Sequence, residues 1–286
     1  MRIVKHHTIQ SFVERALPLL LSHEAHNHLI LGLCAELMHN PETFGPEAPL
    51  LLTVEEEDAI VFAALQTPPN KLVLSHSRHT GAIEVLAEEL SHTERPLPGV
   101  IGPRSVAEPF GRHWAARSGG RVEQGMPQRI YQLTTVHPPA PPPGHLRLAT
   151  EADRPLLEAW FSAFRAEVYP GAAPGDSQRT VTRWLTSPDR QLYLWEVEAP
   201  VAMAGVAGPT PHGIRISAVY TPPACRRRGY ASALVAAISQ VQLSTGKRCC
   251  FLYADLNNPT SNRIYQAVGF EPVVDSVELR FVPCAE

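Results

Sequence analysis

Between His137 and Gly144 the sequence reads HPPAPPPG, with five prolines in six residues. Such a run has fixed φ angles and few N–H donors, so it can join neither a helix nor the interior of a sheet. The chain of 286 residues is therefore expected to divide there, with domains over 1–136 and 145–286 joined by a Pro-rich linker at 137–144. A Pro-rich surface loop within one domain is the alternative reading of the same residues.

The second half carries clear periodicities. HLRLAT reads as a strand. Thr150 precedes apolar residues at helical spacing (Leu156, Leu157, Trp160, Phe161, Phe164), and a second helix is expected near Ser177–Leu185. QLYLWEVEAPVAMAGVAG reads as a hairpin turning near Ala199 and Pro200, followed by GIRISAVYT as a third strand. Leu234, Ile238 and Val241 mark a helix ending near Gly246. RCCFLYAD is a strand, NNPTSNRIYQAVGF a helix with Pro259 at its first position, and strands close the chain from Glu271. The first half follows a blurred version of this order: helices within Ile9–His39, a hairpin in LLTVEEEDAIVFAAL, then alternating strands and helices. One α+β architecture used twice is the expectation, with mixed, mostly antiparallel sheets flanked by helices.

The stretch CRRRGYASAL, Cys225–Leu234, links a strand to a helix through a glycine turn. Backbone N–H groups at a helix start bind phosphate, Gly229 allows close approach, Ala231 keeps the first turn free of bulk, and Arg226, Arg227 and Arg228 add positive charge. A solvated loop is the bland alternative. The net charge of −3 argues that these arginines serve one phosphorylated molecule and not a nucleic acid, because generic nucleic-acid binding needs a basic face. Five scattered cysteines without CxxC spacing fit a reducing, cytoplasmic setting, and the apolar run near residue 20 is broken by Glu24, Asn27 and histidines, so no membrane span is expected. HEAHNH lacks the second histidine of HExxH at Asn27; no metal is expected.

Arg226, Gly229 and Ala231 after AVYTPPAC, followed by Asn258, Tyr265, Gly269 and Phe270, make the chain resemble the Gcn5-related N-acetyltransferase (GNAT) family over residues 145–282. The resemblance implies a tandem GNAT-like fold whose second half binds acetyl-CoA and transfers its acetyl group to a small-molecule or peptide amine by direct attack in a ternary complex. It further implies that backbone groups of Val219, Tyr220 and Thr221 pair with the pantetheine arm, while Arg226, Arg227, Arg228, Gly229, Tyr230, Ala231 and Ser232 cradle the pyrophosphate. Asn258 and Ser261 would contact the cofactor, an amide near Val219 would polarise the thioester carbonyl, and Tyr265 would be the general acid. From the residues alone Asn258 reads first as a helix cap and Tyr265 as a packed helix residue.

Where some members of the family carry a glutamate, this chain has Tyr253. Asp255, or Glu196, is left as a base acting through water. A non-catalytic acyl-CoA sensor is the alternative function. In the first half, SHSRHTGAIEV matches the phosphate turn through Arg78 and Gly81 but places Ile83 where a small residue is wanted, so a degenerate repeat without CoA is expected.

Overall fold

The computed structural model describes residues 1–93, 95–169 and 175–282. The chain forms two compact units, one built from Met1–Tyr131, Tyr253–Asn258 and the segment from Pro272, the other from Gln132–Leu252 and Pro259–Glu271. The Pro-rich stretch 137–144 falls in the second unit.

The first unit begins with β1 (Arg2–His6), α1 (Ile9–Ser22), α2 (Glu24–His39), β2 (Leu50–Glu56), β3 (Ala59–Gln66), β4 (Leu72–Leu74), α3 (Thr80–Ser91), β5 (Gly99–Pro103), α4 (Arg104–Ser118) and all but the last two residues of β6 (Arg121–Leu133). Side chains alternate across β2 and β3, which sorts their apolar residues into two cores. Leu50, Leu52, Val54, Phe62 and Ala64 pack with Ile83 and Leu86 of α3 and Val106 and Phe110 of α4. Leu51, Ala63 and Leu65, one residue out of phase, pack with Phe12 and Leu20 of α1 and Ile30 and Leu37 of α2. The sheet is thus covered by one helix pair on each face. Strand β1, which carries no strong sequence signal, pairs antiparallel with β2.

The second unit contains β7 (His145–Leu148), α5 (Arg154–Val168), α6 (Ser177–Thr186), β8 (Gln191–Glu196), β9 (Pro200–Ala207), β10 (Gly213–Tyr220), α7 (Tyr230–Ser244), the first part of β11 (Cys249–Asp255) and α8 (Pro259–Val268). A capping box between Thr150 and Asp153 starts the turn that leads into α5. Strand order is β7-β8-β9-β10-β11, antiparallel except for the parallel pair β10–β11. Leu192 and Leu194 of β8 face the core made with Trp160 and Phe161 of α5 and Trp184 of α6. Tyr193, between them, points the other way: its hydroxyl accepts a hydrogen bond from Gln242 Nε2 of α7 at 3.3 Å.

Past Gly269 the chain runs into one long strand, β12 (Glu271–Val282), where the sequence suggested more than one. β12 pairs antiparallel with β5 of the first unit, from Ser276↔Pro103 to Arg280↔Gly99. Gly99 has φ of 151°, and a side chain there would meet the Leu279 carbonyl oxygen. Only glycine lets these backbones approach so closely. Val277, Leu279 and Phe281 complete the core on α3 and α4.

Candidate functional site

β10 is not a regular strand. Its register with β9 runs through Ser217↔Gly205 and resumes at Tyr220↔Met203, so Ala218 and Val219 oppose the single residue Ala204. Ala218 takes up the extra residue with φ of 54°. Such a bulge turns backbone groups out of the ladder and re-aims the residues beyond it. On the other side the parallel ladder with β11 ends at Arg215↔Phe251. Val219, Tyr220 and Thr221 thus lie beyond the end of the ladder with β11, while Tyr220 stays in register with β9.

The turn from β10 to α7 has two left-handed residues, Arg227 (φ 61°) and Gly229 (φ 82°). Gly229 is the N-cap position, and α7 starts without a side-chain cap. The first N–H groups of a helix have no partner inside it, so an uncapped start presents donors and the positive end of the helix dipole to an anion. Tyr230 is buried, Ala231 and Ser232 are half-buried, and Arg227 and Arg228 are exposed, so charge surrounds the turn without filling it. The Pro-rich segment borders it: a Cβ on Gly229 would lie 3.9 Å from Pro142 Cγ. That segment is held at its two ends, by the His137 N–H bonding to the Val268 carbonyl and by Trp195 Nε1 donating to the Pro143 carbonyl at 3.0 Å.

Arg226 behaves differently from its neighbours. Its guanidinium donates to both carboxylate oxygens of Glu167, at 2.7 and 2.8 Å, and through Nε to the Thr221 carbonyl at 2.8 Å. Nothing in the sequence pairs these residues; the only signal is a carboxylate in the last turn of a helix, where the dipole disfavours it. The Thr221 hydroxyl oxygen is buried without a hydrogen-bond partner. An orphaned polar atom in the connection from β10 to an uncapped helix start suits a cofactor that brings its own amides and phosphates.

Residues 194–279 match the family model described as FR47-like protein. Among solved structures, a tandem GNAT protein from the clavulanic acid biosynthesis pathway aligns with 100% of this chain and 99% of its own at 14% identity and a TM-score of 0.57. A GNAT-family acetyltransferase from Colwellia psychrerythraea aligns over 98% and 100% at 9% identity and a TM-score of 0.56. A Drosophila protein aligns over 99% of both chains at 12% identity and a TM-score of 0.71. No curated protein matches the chain. The fold is a tandem GNAT fold.

In the second GNAT half, Tyr265 lies on α8, 8% exposed, with its ring edge-on to Phe270 at 6.0 Å between centroids. Burial pushes its phenol up to about 12, so it holds its proton throughout the neutral range. Ser261 is half-buried on the same helix. Asp255 and Asn258 fall in the segment assigned to the first unit. There the Asp255 carboxylate accepts the Asn257 N–H at 2.8 Å and its carbonyl accepts the Asn258 N–H at 3.1 Å, which shapes the turn before α8. Asn258 is exposed and directly precedes Pro259, the first residue of that helix.

Tyr253, at the position of the missing glutamate, packs its ring 4.9 Å from that of His28, which is fully buried. Glu196 is engaged by Arg147 at 2.6 Å. The first GNAT half has closed its own phosphate-type turn: His79 Nδ1 accepts the Ala82 N–H at the start of α3, and Ile83 is buried in the core. A Cβ on Gly81 would meet Met1 Cε at 2.7 Å. His23 and His26 of the HEAHNH stretch pack against each other and against His76, with ring centroids 4.5 to 5.3 Å apart. No helix among the described residues is long and apolar enough to cross a membrane.

Proposed function

We propose that the protein is an N-acetyltransferase that moves the acetyl group of acetyl-CoA to a primary amine, with the cofactor held by residues from the 145–286 stretch of the sequence. The observation that carries this is the uncapped start of α7, set behind left-handed Gly229 at the bulged end of β10. Acetyl-CoA, when bound, supplies an activated thioester carbonyl. The N–H groups of the 227–232 turn hold its pyrophosphate, and backbone groups of Val219, inside the bulge, and of Tyr220, past the end of the ladder with β11, align its pantetheine arm. An amide near Val219 stabilises charge that develops on the carbonyl oxygen.

Tyr265 gives its proton to the departing thiolate, a role that needs a phenol protonated at neutral pH. Asn258 and Ser261 keep the cofactor contacts that the GNAT resemblance implies. The acceptor amine must arrive uncharged; Asp255, whose carboxylate is partly used by the Asn257 N–H, acts as base only through water.

Calorimetry with CoA, then thiol release with a panel of amines, tests the reading. Binding of CoA with one site per chain and amine-dependent thiol release are expected. Absence of CoA binding, or equal binding by Gly229→Trp, would sink it. The packing of Tyr253 on His28 favours a second reading, a non-catalytic acyl-CoA sensor, because it puts an aromatic where a base would act. CoA binding without thiol release across the panel would select that reading.

A further inference from the structure

Glu167 is the penultimate residue of α5, at the negative end of the helix dipole, where a cation is the favoured occupant. Arg226 compensates it. The same guanidinium that takes both Glu167 oxygens also bonds the carbonyl of Thr221, and its carbon lies 6.0 Å from the centre of the Tyr220 ring. Tyr220 in turn meets Phe164 of α5 edge-on at 6.4 Å. One side chain thus ties the end of β10, the end of α5 and the residue immediately before the left-handed Arg227.

We propose that Glu167 and Arg226 form an electrically neutral clasp that fixes the shape of the phosphate turn. Glu167 is then a positioning residue for cofactor binding, and Arg227 and Arg228 supply the charge that the phosphates meet. The proposal rests on the acetyl-CoA reading of the site. A carboxylate bound through two oxygens cancels most of the guanidinium's field at longer range. Drawing Arg226 away to a phosphate would leave Glu167 unpaired at a helix C-terminus and near the incoming anion. The geometry therefore assigns Arg226 to the turn's backbone, which carries the N–H donors, and not to the phosphates.

The test is CoA binding by calorimetry to the full chain at several salt concentrations, with the fold checked by circular dichroism. The paired variant Glu167→Ala/Arg226→Ala removes the clasp while leaving net charge unchanged, and Arg227→Ala removes one charge. The expected result is CoA affinity lowered about fivefold by the pair with the wild-type salt dependence retained, and a shallower salt dependence for Arg227→Ala. Affinity equal to wild type, or a salt dependence as shallow as that of Arg227→Ala, overturns the clasp while leaving the cofactor reading intact. A wild type that binds no CoA overturns both. If the alanine pair does not fold, the Glu167→Gln/Arg226→Gln pair, similar in size and also charge-neutral, is read by the same criteria.

Discussion

His79 Nδ1 accepts the backbone N–H of Ala82 at 3.3 Å, so α3 brings its own cap to the place where α7 has none. The ring is held from its other nitrogen by Glu56 at 2.8 Å. His79→Ala should lower stability by about 1 kcal/mol, the usual cost of losing an N-cap. It should not create a second CoA site, because Ile83 and the contact of Gly81 with Met1 still fill the space. Denaturant unfolding reads the first effect and calorimetric stoichiometry the second; two CoA per chain in the variant would refute the closed-turn account.

At Gly229 the constraint is the backbone angle. The nearest atoms to an added Cβ are 3.9 and 4.0 Å away, ordinary contacts, but φ of 82° is unfavourable for any residue with a Cβ. Gly229→Ala is therefore expected to fold, to lose about 1 to 2 kcal/mol of stability, and to bind CoA more weakly because the turn relaxes away from its left-handed shape. Thermal melting and calorimetry measured on one preparation check this. An alanine variant with unchanged stability would show that the turn is not strained in this way.

These two turns also show what the sequence can and cannot reveal. A glycine between a strand and an apolar helix start is a local signal, and Gly229, Ala231 and the Pro259 helix start were all readable. The bulge at Ala218 was not: ISAVY contains no glycine and reads as unbroken strand, while the positive φ is imposed by pairing with β9. The Glu167–Arg226 pair spans 59 positions and joins a helix end to a turn, so no periodicity announces it. The return of β12 to β5 hangs on Gly99, whose need for φ of 151° appears only once Leu279 lies against it. Nonlocal pairing decides such features, and single-sequence patterns are silent on it.

Tyr265→Phe removes only the hydroxyl and keeps the ring against Phe270. If Tyr265 is the acid, kcat should fall by about a hundredfold or more, with CoA affinity changed little. Because burial holds the phenol near 12, wild-type turnover should show no loss from Tyr265 ionisation on the alkaline side of neutrality. Steady-state thiol release across pH, for both proteins, is the measurement. Turnover of the phenylalanine variant at the wild-type rate would remove Tyr265 from the mechanism.

The three packed histidines set an acid limit on the first unit. His26 is pulled down to about 4, first by burial and then by the neighbouring His76 and His23, and His76 is lowered by burial and by His23 and Arg78. Both ring nitrogens of His76 are buried without hydrogen-bond partners, so the second proton that would make the imidazolium has no acceptor to stabilise it. A histidine whose folded value lies below its unfolded value of 6.5 binds its proton more readily in the unfolded chain. Stability from keeping it neutral is present above about 6.5 and is lost as pH falls from there toward 4. With the discount due to its partial exposure, His26 should account for about 1 to 2 kcal/mol of this loss. Denaturant unfolding followed between pH 7 and 4.5 should therefore show a falling midpoint in the wild type. In His26→Gln, which has no titrating ring, the midpoint should fall less steeply over the same range. An equally steep fall in the variant would place the acid sensitivity elsewhere.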